Sequence, residues 1–146
     1  MLRMRTRFSI FLVFAALLFF SSGCAVNRAT ATVTPGMNFK DVKSFYVVKQ
    51  PKDSRGLEKL ISDNLVKRGF QSSYGSQPTQ VDAVVTYVDK WMWDITMYLL
   101  ELTVTIRNPS NDFPMAVGNS LHTSLTRKSP EEMVDEVMTN IFNKTE

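Results

Sequence analysis

The chain holds one cysteine, one histidine, six glycines and six prolines in 146 residues. A lone thiol excludes an intramolecular disulfide, and a lone imidazole, His122, excludes a metal centre built from several histidines. The glycines fall in none of the patterns that cradle phosphates or dinucleotides, and Gly-x-Ser-x-Gly is absent. An excess of one charge is missing too. Lys and Arg total 17 against 14 acidic residues, but Arg3, Arg5 and Arg7 precede an apolar run, and without them the counts are equal at 14. The basic pI therefore gives no argument for phosphate binding, and nucleic acid is not expected as a partner. A long hydrophobic run is also lacking. Residues 8–20 are apolar apart from Ser9, and at about 1.5 Å each they cover roughly 20 Å, short of the ~30 Å that a membrane span requires.

What is present at the N-terminus is a secretory pattern: basic residues, the apolar stretch, then Ser21, Ser22 and Gly23 ahead of Cys24. Ser21-Ser22-Gly23-Cys24 resembles the lipobox of bacterial lipoproteins, although Ser21 stands where that pattern has an aliphatic residue. The departure leaves ordinary cleavage after Gly23 or Ala25 as the alternative. The resemblance implies cleavage before Cys24 and acylation of its thiol, with a membrane as partner through the attached lipid. Ala25 after the cysteine implies the outer membrane, periplasmic face, rather than the inner membrane. The expected organisation is a signal peptide over 1–23, a lipidated N-terminus and flexible Thr-rich tether over 24–36, and one domain over 37–146.

Beyond Pro35 the hydrophobic period changes several times. Aromatic and β-branched residues predict a strand over 44–49. Leu57, Leu60, Ile61 and Leu65 predict an amphipathic helix over 55–68, closed by Gly69 with Phe70 as its hydrophobic contact. After a polar loop over 72–80, three strand-like segments follow. The clearest covers 96–108, with Tyr98, Leu100, Leu102, Val104 and Ile106 on one face. Asn108 to Asp112 reads as a turn into a last strand carrying Met115, Val117, Leu121 and Leu125. Ser129, Pro130 and Glu132 mark the start of a C-terminal helix with a capping box, whose stripe is Met133, Val134, Val137, Met138, Ile141 and Phe142. The expected fold is α+β: a two-layer sandwich of order β-α-β-β-β-α, with a mixed four-stranded sheet and both helices on one face.

Four segments carry a wider resemblance: Arg55-Gly56, the run from Val81 to Tyr87, Trp91-Met92-Trp93-Asp94, and the run from Lys128 to Met133. Over roughly 43–142 the chain resembles a family of proteobacterial outer-membrane lipoproteins with a domain of unknown function. It is also similar to the two-layer domains of lipopolysaccharide-assembly lipoproteins and to the N-terminal domain of the Tol-associated β-propeller protein. The family implies an architecture and no reaction.

The residues themselves point to no enzyme: no catalytic group, metal or cofactor is expected. His122 reads as a surface residue. Asp82, Asp89, Asp94 and Glu101 could supply a carboxylate pair, but read as solvated edges and turns. Tyr87, Trp91 and Trp93 recur at even spacing, so they share one side of an unbroken strand. They are either large core residues, the reading slightly favoured, or an exposed interaction surface. The function expected is a non-catalytic envelope accessory or interaction module with an envelope protein as partner. The alternative is a carrier or sensor of a small amphipathic ligand, a lipid or peptidoglycan fragment, enclosed between sheet and helices.

Overall fold

In the computed structural model, residues 27–37, 39–78 and 80–144 are described. Six strands are found: β1 (Asn27–Val33), β2 (Ser44–Val48), β3 (Gln71–Gly75), β4 (Ala83–Asp94), β5 (Thr96–Arg107) and β6 (Pro114–His122). Helix α1 (Leu57–Lys67) follows β2 and helix α2 (Pro130–Asn143) follows β6, with single 3-10 turns at Phe39–Asp41 and Ser124–Thr126. The strands form one mixed sheet in the order β1-β6-β5-β4-β2-β3. β2 is parallel to both its neighbours and the remaining pairs are antiparallel.

The fold is α+β, but the expected four-stranded sheet is wrong by two strands. Residues 27–33, expected in the tether, pair along their whole length with β6. Residues 71–75, expected largely as a polar loop, pair with β2 on the opposite edge. Both are edge strands. Their polar side chains (Asn27, Arg28, Thr30 and Thr32; Gln71, Ser72 and Ser73) are compatible with a strand that buries little and contributes mainly backbone hydrogen bonds.

Both helices form for local reasons the sequence states. α1 ends in a Schellman motif: Gly69 at φ +94°, its N–H donating to the Val66 carbonyl and the Phe70 N–H to that of Leu65. Leu57, Ile61 and Leu65 face the sheet and are fully buried. α2 begins with the complete capping box. The Glu132 N–H donates to Ser129 Oγ, and the Ser129 N–H to Glu132 Oε2 at 2.7 Å. Phe39, Phe45, Phe70 and Phe142 close one end of the core as edge-to-face and stacked pairs.

On β6 the expected inward face is inverted from Val117 onward. Ala116, Gly118, Ser120 and His122 point into the core, while Val117, Asn119 and Leu121 take the uncovered side. The reason is volume. A Cβ built on Gly118 would sit 2.7 Å from Val137 Cγ1 and 2.9 Å from Ile141 Cδ1 of α2, so the strand must be small where the helix is large. His122, expected at the surface, is completely buried, and Leu125, expected in the apolar run, is 80% exposed. The face of β5 also changes partway. Lys90 opposes Glu101 but Trp91 opposes Leu99, so Leu100 is a bulge and Leu99 rather than Tyr98 takes the core side.

Candidate functional site

β4 carries its three aromatics out of the core one after another. Tyr87 is buried, Trp91 is partly buried and packs against the core, and Trp93 is 68% exposed. The two readings of this trio therefore divide along the strand. The Tyr87 hydroxyl donates to Asp53 Oδ2 at 2.6 Å and accepts from the Gln50 N–H. Trp91 donates to Asp89 Oδ2 at 2.6 Å and lies 4.2 Å beneath the Arg55 guanidinium. Trp93 opposes Met97 across the hairpin, beyond the part of the sheet that the helices cover.

The hairpin turns on one residue, Ile95, between the paired Asp94 and Thr96. Ile95 has φ +60° and is 88% exposed. Met92, Trp93 and Met97 flank it, all exposed. The 3-10 turn Ser124–Thr126 docks beside them: Ser124 Oγ and Arg127 Nη2 both hydrogen-bond Asp94 Oδ2, and Arg127 Nη1 donates to Thr96 Oγ1. Leu125 thus joins an apolar tip whose carboxylate is neutralised. The Ser124 bond and the Arg127 charge hold Asp94 below the usual carboxylate range. Sequence reasoning missed Ile95 and Leu125. The available signal was the run Trp93-Asp94-Ile95-Thr96-Met97, which turns without glycine, proline or asparagine.

Two polar clusters lie inside. Asp53, three residues ahead of the Gly56 cap position, accepts the N–H groups of Arg55, Gly56 and Leu57 in addition to the Tyr87 hydroxyl. Burial raises this carboxyl, but those hydrogen bonds outweigh it and leave it at about 2. Burial and the Asp53 bond push the Tyr87 phenol upward. Glu58, almost buried, is held by Lys49 Nζ at 3.1 Å. This cluster fixes the start of α1 to β4. The second cluster is Ser120, His122, Glu136 and Lys128. Both the Ser120 hydroxyl and His122 Nε2 bond Glu136 Oε2, at 2.6 and 2.7 Å, and Lys128 bonds Oε1. The residue types are those of a hydrolytic triad but the connections are not, because the serine hydroxyl is directed to the carboxylate rather than the imidazole.

The other acids go their separate ways. Asp82 accepts the Lys43 and Ser44 N–H groups, Asp89 accepts Trp91, Asp94 is held by Ser124 and Arg127, and Glu101 accepts Asn119 Nδ2. Among the described residues no group of three His, Cys, Asp or Glu is placed to hold a metal ion. A groove of about 570 Å³ between the helices is lined by Asn64, Lys67, Lys128, Glu131, Asp135 and Asn140 among others, a lining suited to a polar group rather than an acyl chain. Among the described residues no helix is long and apolar enough to cross a membrane. Cys24 lies outside the described residues.

No family model matches the chain, and no curated protein matches it. Among solved structures it is similar to the PelC dodecamer of Paraburkholderia phytofirmans, with a TM-score of 0.57 and 12% identity over 80% of this chain and 98% of that one. A single-substitution variant of the same dodecamer gives a TM-score of 0.55 and 16% identity, over 79% of this chain and 96% of that one. TolB from Acinetobacter baumannii is similar at a TM-score of 0.50 and 14% identity, over 82% of this chain and 32% of TolB. At these identities the likeness concerns the fold alone.

Proposed function

We propose that the chain is a non-catalytic interaction module of the cell envelope, held at the periplasmic face of the outer membrane by acyl chains on Cys24 and engaging a protein partner through the uncovered face of its sheet. The observation that carries this reading is the asymmetry of the two faces. One face is filled by α1 and α2. The other presents Thr30, Thr32, Val88, Thr103, Thr105, Val117, Asn119 and Leu121, none of them fully buried, with Arg28, Lys90 and Glu101 at one end and Arg107 at the other. A broad face of this kind, uncharged at its centre and charged at its ends, suits a flat protein surface better than a small ligand. The lone cysteine placed directly after a secretory pattern supports the anchor.

The PelC structures are dodecamers, which adds a second copy of this chain to the partners to be distinguished. A photo-reactive residue in place of Thr103, used in intact cells together with mass spectrometry of the membrane fraction, tests the proposal. It expects an acylated Cys24 peptide and one defined crosslinked protein. An unmodified Cys24 in a chain free of the membrane, or no crosslink from Thr103, would reject it.

A further inference from the structure

The start of β1 and the apolar tip lie at the same end of the sheet. Asn27 is paired with His122, and Leu121 with Glu101, so the chain enters β1 level with the Leu100 bulge. From there β5 continues outward to Thr96, about 13 Å further at roughly 3.4 Å per residue. Cys24 is three residues ahead of Asn27, and that link can reach about 10 Å. The lateral offset is small as well, since β1 and β5 are separated only by β6, about 10 Å in all. Fully extended, that link brings Cys24 to within about 3 Å of the level of the hairpin turn, close enough for its lipid and the turn to meet one membrane surface.

We propose that this tip is a second membrane contact: Trp93, Ile95 and Leu125 seat in the interfacial zone of the leaflet that holds the Cys24 acyl chains. The inference rests on the lipoprotein reading above. Three features suit a lipid surface. Tryptophan favours the boundary between headgroup and acyl chain, where its ring is apolar and its N–H remains wet. The carboxylate at the turn, Asp94, is already paired with Arg127, so an anionic surface meets little repulsion. The turn residue is a β-branched apolar side chain at φ +60°, an arrangement that helps neither stability nor solubility and projects Ile95 outward. Two attachment points would stand the strands steeply on the membrane and turn the uncovered sheet face sideways, along the surface rather than against it.

The chain has two tryptophans, so W91F leaves Trp93 as the only one. The acylated full-length W91F chain, its Cys24 modification verified by mass, is reconstituted into vesicles of phosphatidylethanolamine and phosphatidylglycerol with or without brominated acyl chains. The proposal expects bromolipid to quench Trp93 by about twofold, with protection from iodide, and both effects to weaken when I95Q and L125Q are added. If W91F fails to fold, the difference between wild type and W93F supplies the same quantity. An acylated chain whose Trp93 is untouched by bromolipid, or is quenched by iodide as in water, would overturn the tip contact while leaving the anchor standing. A chain unmodified at Cys24 would overturn the anchor, and this inference with it.

Discussion

His122 Nε2, completely buried on β6, lies 2.7 Å from Glu136 Oε2 on the helix packed across it. A carboxylate can only accept, so the imidazole carries a proton on that nitrogen. Burial alone would raise the Glu136 carboxyl. Hydrogen bonds from Lys128, Ser120 and His122 outweigh it and hold the group at about 2. A carboxyl depressed in the folded state contributes its full stability above its unfolded value of 4.5 and loses it as pH falls towards 2. Glu136→Gln should therefore cost about 2–4 kcal/mol at neutral pH, and the gap from wild type should shrink on acidification through that window. Urea denaturation at several pH values measures it. A gap independent of pH would mean that Glu136 is not ionised in the fold.

Gly118 is required for space. An alanine Cβ would meet Val137 and Ile141 at under 3 Å, so Gly118→Ala should destabilise by about 1–3 kcal/mol through overpacking. Adding Val137→Ala should recover part of that loss, because both changes draw on one contact. Strict additivity in denaturant midpoints would show that the helix shifts as a whole rather than clashing at this point.

The Asp53–Tyr87 contact ties helix to sheet, and its two sides differ in weight. Tyr87→Phe removes the hydrogen bond to the carboxylate and the acceptor of the Gln50 N–H, with an expected cost of about 1–2 kcal/mol. Asp53→Ala strips the acceptor from three N–H groups at the start of α1 as well, and should cost more. A double-mutant cycle should give a coupling of at least about 0.5 kcal/mol, and zero coupling would count against the bond.

Ile95 offers a test of opposite sign. Ile95→Gly relieves the left-handed backbone and should stabilise by about 0.5–1 kcal/mol, raising the thermal midpoint. Ile95→Gln keeps the strain and should not. Equal midpoints for the two variants would show that the turn does not hold φ +60° in solution.

What was legible in the sequence was local chemistry. Ser129, Pro130 and Glu132 state a helix start through contacts made within one turn, and Gly69 with Phe70 states a helix end in the same way. What was not legible depends on partners far along the chain. β1 and β3 each need only one neighbouring strand, so neither shows an alternating apolar pattern. On β6, apolarity suggested Val117 and Leu121 as the inward face. The bulk of Val137 and Ile141 instead demanded Gly118 there, and Glu136 made room for Ser120 and His122. At the candidate site, Trp93 was visible as one of three aromatics separated by even numbers of residues. Its separation from Tyr87 depends on how far the helices extend over the sheet, which no periodicity records.

The pairing of Asn27 with His122 also sets an order of events. A ribosome delivers β1 first, and its only partner in the sheet arrives roughly 95 residues later, after every other strand has been made. Until then β1 has nothing of its own chain to zip against, while β2, α1 and β3 already have each other. Closure of the β1 edge is thus the last strand pairing available to the newborn chain, and only the packing of α2 across β1, β6 and β5 follows it.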